Sequence, residues 1–139
     1  MQRRYRAFDF ALRGGDHQRV KVTEIYVDPI GKPRMTQRDR WKKRPCVMRY
    51  FAAKDIVKSH RIEVDWNNTF ELTFYIPMPK SWSKKRRKEM LGKPHQQKPD
   101  IDNLQKFLFD SLLEDDSIIW SLKVEKYWAE KGKIVIKQE

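Results

Sequence analysis

The chain has 139 residues, of which 31 are Lys or Arg and 19 are Asp or Glu, giving a formal net charge of +12. A chain of this length buries enough surface for one stable domain, and two large domains are excluded. The single cysteine, Cys46, excludes an internal disulfide and a cysteine-cluster zinc site, which favours a reducing, cytoplasmic setting. No apolar run approaches the roughly 18 residues that span a bilayer.

The positive charge is unevenly distributed along the chain. Residues 1–99 hold 25 basic and 10 acidic groups, whereas residues 100–139 hold 6 basic and 9 acidic groups. A basic chain favours an acidic partner, of which nucleic acid is the commonest. Acidic groups that face a phosphate backbone weaken binding unless a cation lies between them. The acidic C-terminal part therefore indicates chemistry in addition to binding.

Residues 1–20 show no clear hydrophobic period and are taken as an N-terminal extension whose role is open. The first predicted element comes after them. A strand is predicted over residues 22–27, where Asp-Pro ends it. The basic loop over residues 32–49 holds eight Lys or Arg side chains. Apolar residues over 46–59 recur with helical spacing, and Pro45 suits the first turn of that helix.

The clearest strand signal opens the second half of the chain. Residues 70–76 alternate between apolar and polar side chains, which is the period of a half-buried strand. Residues 80–98 carry eight basic groups and one acidic group, with Ser81 or Ser83 as the N-cap of a short basic helix. Residues 100–113 place their apolar side chains on one broad face, which predicts the clearest helix.

Two strands are predicted in residues 118–139, around a turn at residues 130–132, and a hairpin is the arrangement that this spacing favours. The element order is then β-α-β-α-α-β-β. This order predicts an α+β fold, a single small domain over residues 21–139 in which helices pack on a mostly antiparallel sheet.

Acidic residues surround the last helix, namely Asp100, Asp102, Glu114, Asp115 and Asp116. One interpretation is structural, since carboxylates favour a helix N-terminus and EDDS is an ordinary turn. The alternative is a metal site, because the non-helical dihedral angles of an N-cap let Asp100 and Asp102 converge on one ion. Either Asp115 or Asp116 closes such a site if the following loop folds back. Oxygen ligands without a Cys/His set favour Mg²⁺ or Mn²⁺ over zinc.

Lys106 stands four residues after Asp102, on the exposed side of the predicted helix. If the acids are structural, the two side chains form a surface ion pair worth about 0.3–0.5 kcal/mol. If the acids hold a cation, Lys106 lies on the same ridge, where it can stabilise charge as a phosphorus atom is attacked. The spacing therefore suits phosphodiester chemistry as well as a plain helix surface.

Residues 98–118, KPDIDNLQKFLFDSLLEDDSI, resemble the RusA-type Holliday junction resolvases, small dimeric Mg²⁺-dependent endonucleases of bacteria and phages. The resemblance is carried by K-P-D-hydrophobic-D-N-L, a lysine four residues after the second Asp, then Phe-Asp and a later Asp-Asp pair. Weaker similarity extends over most of residues 22–137, so that residues 1–20 lie outside it. The resemblance implies a RusA-like fold.

The resemblance also implies roles for individual residues. The metal-binding and catalytic carboxylates are then Asp100, Asp102 and Asp116, Lys106 is the catalytic lysine, and Asn103, Asp110 and Asp115 support the site. Two features depart from the family pattern. The connection between Phe-Asp and Asp-Asp is shorter than in many members, which restricts how Asp116 reaches the helix N-terminus, and Ile118 stands where Gln is frequent.

The sequence thus predicts an endodeoxyribonuclease that uses Mg²⁺, with Mn²⁺ as a substitute, and resolves Holliday junctions or related branched DNA by paired symmetric nicks. The resemblance implies that it is a homodimer. Basic residues of two segments are predicted to bind the DNA backbone: Lys32, Arg34, Arg38, Arg40, Lys42, Lys43, Lys84, Lys85, Arg86, Arg87, Lys88 and Lys98. The alternative is a basic, non-catalytic DNA-binding or architectural protein whose acids only cap helices and form turns.

Overall fold

A computed structural model of the protein describes residues 5–9, 19–34, 36 and 44–139. The strands are β1 (Tyr5–Asp9), β2 (Arg19–Ile25), β3 (Phe70–Pro77), β4 (Leu122–Ala129) and β5 (Lys133–Gln138). The helices are α1 (Pro45–Ser59), α2 (Lys84–Met90) and α3 (Ile101–Leu112), and a 3-10 turn covers Asp116–Ile118. Within these described residues, no helix combines the length and the apolar character needed to cross a membrane.

The described strands form one mixed sheet in the order β1-β2-β5-β3-β4. Its first three neighbouring pairs are antiparallel, whereas β3 and β4 run parallel, with Phe70 opposite Leu122 and Pro77 opposite Ala129. The predicted α+β class with a mostly antiparallel sheet is therefore confirmed.

The hairpin predicted for the last two strands is wrong. β4 and β5 are not neighbours, because β3 lies between them and pairs with both. Residues 130–132 connect the two strands across the end of β3, and there Gly132 lies against the backbone of Asp28. A β-carbon at position 132 would lie 2.7 Å from the Asp28 Cα, so this crossing requires glycine.

The other predicted elements are present, with boundaries shifted by at most three residues. Of the two candidate caps of α2, Ser83 is the N-cap, and its hydroxyl oxygen accepts a hydrogen bond from the Arg86 N–H at 3.2 Å. Part of residues 1–20, whose role the sequence left open, belongs to the sheet, since β1 pairs with β2.

The hydrophobic core lies between one face of the sheet and the helices α1 and α3. The rings of Tyr50 from α1 and Phe107 from α3 are in contact, with centroids 5.8 Å apart. The largest fully buried side chains are Tyr50, Phe74, Phe107, Ile25, Leu72, Leu104, Leu108, Ile134, Val47 and Val57. Because α3 buries one face completely, Asp102 and Lys106 are left exposed on the other.

Candidate active site

The N-terminus of α3 presents two of the predicted metal ligands. Asp100 is the N-cap, with extended backbone angles of φ −67° and ψ 152°, and its side chain makes no capping hydrogen bond. Asp102 lies in the first turn, and both residues are exposed. Because its backbone is extended, the Asp100 side chain does not follow helical spacing. An ion site shared with Asp102 requires this, since helical spacing would turn the two side chains apart. Neither carboxylate is needed to complete the helix.

The third predicted ligand follows the other end of α3. Asp116 begins the 3-10 turn and is exposed. Its neighbour Asp115 is the N-cap of that turn, and the Asp115 carboxylate accepts a hydrogen bond from the Ser117 N–H at 3.0 Å. This backbone hydrogen bond lowers the pKa of Asp115. Asp115 thus has a structural task, which leaves Asp116 as the carboxylate of the pair without a capping role.

The structure does not bring the three predicted ligands together. α3 has 12 residues, which corresponds to a length of about 18 Å; Asp100 and Asp102 lie at its start, and Asp116 follows its other end. Within the described residues, no three acidic, His or Cys side chains are grouped so that they could hold a metal ion. Asp100 and Asp102 supply the oxygen chemistry that Mg²⁺ prefers, and the complete ligand set stays a prediction.

Lys106 is exposed on α3, one turn after Asp102. The ion pair considered for these two side chains is not formed in the described part of the chain, where Lys32–Asp110 and Arg87–Glu130 are examples of pairs that are. The two opposite charges therefore point to solvent near each other and remain free to contact a ligand.

Two of the predicted support residues attach residues 28–34, the segment that leads into the basic loop, to α3. Asp110 Oδ2 lies 3.0 Å from Lys32 Nζ and accepts a hydrogen bond from the Tyr50 hydroxyl at 3.2 Å. Asn103 Nδ2 donates to the Lys32 carbonyl oxygen at 3.4 Å. Burial, followed by the charge of Asp110, raises the pKa of Tyr50. Lys32, predicted to bind DNA, is thus paired within the protein.

Gly31 lets this loop approach the helix closely. A β-carbon at position 31 would lie 3.1 Å from the Cβ of Pro99 and closer still to the Asn103 amide. Beside this contact runs an open groove of about 490 Å³ lined by Pro29, Ile30, Gly31, Lys98, Pro99, Asp100 and Asn103. The basic residue Lys98 therefore lines the same groove as Asp100.

Lys126 is a residue of this region that sequence reasoning missed. It lies on β4 opposite Phe74, on the face of the sheet that the helices cover. Its Nζ donates to the carbonyl oxygens of Gln97 at 2.6 Å and Pro99 at 2.8 Å. Burial lowers the pKa of Lys126, and the nearby Asp100 carboxylate opposes that shift. The sequence did contain a signal for this residue, because Lys126 stands at a position of β4 where the alternation predicts an apolar, core-facing side chain.

The basic segment over residues 80–98 is attached to the outer edge of β4. Residues 92–95 form backbone hydrogen bonds with Lys126 and Trp128, each at 3.0 Å. The rings of Trp82 and Trp128 pack with centroids 4.7 Å apart. These contacts cover the edge of β4, which would otherwise present unpaired backbone groups, and they hold α2 beside the sheet.

The five basic side chains of α2 fall into two groups. The Arg86 guanidinium lies 4.0 Å from the centroid of the Trp82 ring. Arg87 donates to the Pro79 carbonyl oxygen at 2.9 Å and pairs with Glu130 at 3.2 Å. The remaining three point to solvent, namely Lys84, Lys85 and Lys88. Two of the five predicted DNA contacts are therefore already used within the fold.

Of the other predicted DNA contacts, Arg34 and Lys98 are exposed. Four lie outside the described residues: Arg38, Arg40, Lys42 and Lys43. For these four, the predicted role stays a prediction.

Comparison with known proteins assigns the chain to a family. Residues 29–139 match the family model described as Endodeoxyribonuclease RusA. The chain is also 31% identical over 133 residues to "Uncharacterized protein YqaN" of Bacillus subtilis (strain 168), with 84% of this chain and 93% of that protein covered. The family match begins after β2, although β1 and β2 belong to the same sheet as the matched strands. The chain belongs to the RusA family of endodeoxyribonucleases.

Proposed function

We propose that the protein is a Mg²⁺-dependent endodeoxyribonuclease that resolves Holliday junctions or related branched DNA by paired nicks. Membership of the RusA family supports the nuclease class and the branched substrate. One structural observation carries the proposal: at the start of α3, Asp100 and Asp102 are both exposed, and Asp100 makes no capping hydrogen bond. Carboxylates left free in this way suit a hard divalent cation.

The residues assigned to the cation are Asp100 and Asp102, and Asp116 would serve as the third ligand only on moving toward the start of α3, since the structure places it beyond the other end of that helix. When bound, Mg²⁺ supplies an activated water and neutralises charge on the scissile phosphate. Lys106 would donate to a non-bridging phosphate oxygen and stabilise the charge that develops during attack. Mn²⁺, which prefers the same ligands, would substitute for Mg²⁺.

The proposed homodimer follows from the symmetry of the substrate. Two symmetric nicks in a four-way junction require two equivalent sites related by a two-fold axis. A dimer of this chain would supply one site for each of the two strands that are cut.

Exposed lysines of α2 would bind the DNA backbone. Phosphate contacts position the DNA and carry little sequence information, so they suit a protein that selects DNA by its shape. Lys84, Lys85 and Lys88 are exposed and form no ion pair with the described residues, whereas Arg86 and Arg87 pack on or pair with other residues. The three lysines are therefore the clearest candidates for phosphate contacts.

Changing Lys84, Lys85 and Lys88 together to Gln is expected to weaken junction binding and leave thermal stability unchanged. The slope of log K against log salt should become shallower by about 0.9 for each lost phosphate contact on duplex arms. Fluorescence anisotropy at several salt concentrations measures both quantities. In the control, Arg87→Gln removes the pair with Glu130 and should lower the melting temperature. An unchanged salt slope in the triple variant would place the phosphate contacts elsewhere.

The proposed function is tested by incubating the purified protein with a synthetic mobile four-way junction, a matched duplex and a flap, with and without Mg²⁺. Paired symmetric nicks on the junction, dependent on Mg²⁺, are the expected result. Tight binding of all three DNAs without cleavage in Mg²⁺ or Mn²⁺ would instead support a non-catalytic architectural protein.

A further inference from the structure

Lys126 lies on the core-facing side of β4, at a position where the neighbouring residues are apolar. The residues of β4 opposite Phe70, Leu72, Phe74 and Ile76 of β3 are Leu122, Val124, Lys126 and Trp128. The four β3 residues are buried, and the other three β4 residues are apolar. A lysine here pays a desolvation cost unless hydrogen bonds compensate the ammonium group.

The compensation comes from the segment that leads into the candidate site. The Lys126 Nζ donates to the carbonyl oxygens of Gln97 and Pro99, at 2.6 and 2.8 Å. Pro99 immediately precedes Asp100, whose side chain makes no capping hydrogen bond of its own. Pro99 also lies against Gly31. The backbone before Asp100 therefore contacts both β4 and residues 28–34.

We propose that Lys126 is a positioning residue for the candidate active site. Its ammonium group attaches residues 97–99 to β4 and thereby sets where the Asp100 carboxylate stands relative to Asp102. This inference rests on the proposed function, because it concerns the place of a residue assigned to the cation.

The effect of such positioning on the cleavage rate and on metal affinity is large enough to measure. A misplacement of about 1 Å in a reacting group costs about 100-fold in rate. Partners that orient a metal ligand typically contribute about 10- to 100-fold to metal affinity or activity. Lys126 contacts the Pro99 carbonyl oxygen, but it does not itself line the groove beside Asp100 and is not among the residues predicted to bind DNA, so its loss should leave DNA affinity unchanged.

The test compares Lys126→Met with Lys126→Arg, and with Lys123→Met as the matched control. Lys123 lies on the same strand but is exposed on the opposite face of the sheet. Four quantities are measured: melting temperature, Mn²⁺ affinity by calorimetry without DNA, junction Kd without metal, and kcat. Lys126→Met should weaken Mn²⁺ binding about tenfold and lower kcat about 100-fold, with Kd unchanged. Lys126→Arg, which keeps several N–H donors, should recover most of both losses, and the control should match wild type.

Two results of the metal-binding and cleavage measurements would overturn the inference. One is wild-type kcat and Mn²⁺ affinity in Lys126→Met, and the other is equal losses in the Met and Arg variants. Neither result would contradict the proposed function, which is tested separately by junction cleavage with the wild-type protein. If Lys126→Met does not fold, Lys126→Gln replaces it, with losses expected between those of the Met and Arg variants. In every variant, hydrogen exchange over residues 97–101 reports the attachment independently of cleavage, and unchanged exchange in the Met or Gln variant contradicts it.

Discussion

Replacing Asp102 with Asn is expected to abolish junction cleavage and to leave junction binding intact. Asp102 is exposed in the first turn of α3, so an amide of nearly the same shape leaves the fold unchanged. The amide lacks the charge that a divalent cation requires. A bound cation is worth several kcal/mol of transition-state stabilisation, so kcat should fall by about 10³-fold.

The measurement pairs cleavage rates in Mg²⁺ and Mn²⁺ with junction Kd values determined in chelator at one fixed salt concentration. Glu114→Gln is the matched control, since Glu114 is also an exposed acid close to α3 and has no assigned role in the site. The control should cleave at the wild-type rate. Wild-type cleavage by Asp102→Asn would remove Asp102 from the ligand set, and a large loss of binding would show that the residue acts through DNA affinity.

The second large effect concerns stability. Phe107→Ala is expected to lower the free energy of unfolding by about 3–5 kcal/mol. Phe107 is fully buried, and its ring lies 5.8 Å from that of Tyr50, so the change opens a cavity between α3 and α1. Since a domain of this size has a total stability of about 5–15 kcal/mol, the loss is a large fraction of the whole.

Urea unfolding followed by tryptophan fluorescence measures this loss. Ile56→Ala on α1 is the control, because Ile56 is 42% exposed, and its effect should stay within about 0.5 kcal/mol. A cost below about 1 kcal/mol for Phe107→Ala would mean that the α1–α3 contact contributes little to the core.

The elements that the sequence predicted well are those with a strong local period. β3 alternates over its whole length, and α3 buries one continuous face, so each could be located from its own residues. The pairing of β4 and β5 could not be predicted in this way. A Glu-Lys-Gly turn between two strand patterns favours a hairpin, but β4 instead pairs in parallel with β3, from a distant part of the chain. Pairing between distant strands leaves no local signal.

The same division holds for the candidate site. Asp100, Asp102 and Lys106 belong to one helix start, so their spacing alone predicts a shared exposed ridge. The contacts that hold this helix start join distant residues, such as Asn103 with Lys32, which are 71 positions apart. The attachment of residues 97–99 by Lys126 is of the same kind. Local spacing therefore predicts the groups proposed for the chemistry, whereas the support roles of Asn103 and Asp110 came only from the family resemblance and the contact made by Lys126 was not predicted.

The position of β5 has a consequence for the order in which the protein is made. β5 lies between β2 and β3 and pairs with both, yet along the chain it follows all the other strands and helices that the structure describes. During synthesis, α3 and its acidic residues leave the ribosome before the strand that joins the two parts of the sheet. Until residues 133–138 emerge, β2 and β3 have no common partner, so a nascent chain exposes both strand edges. The sheet of this nuclease fold is therefore complete only after β5 has been synthesised.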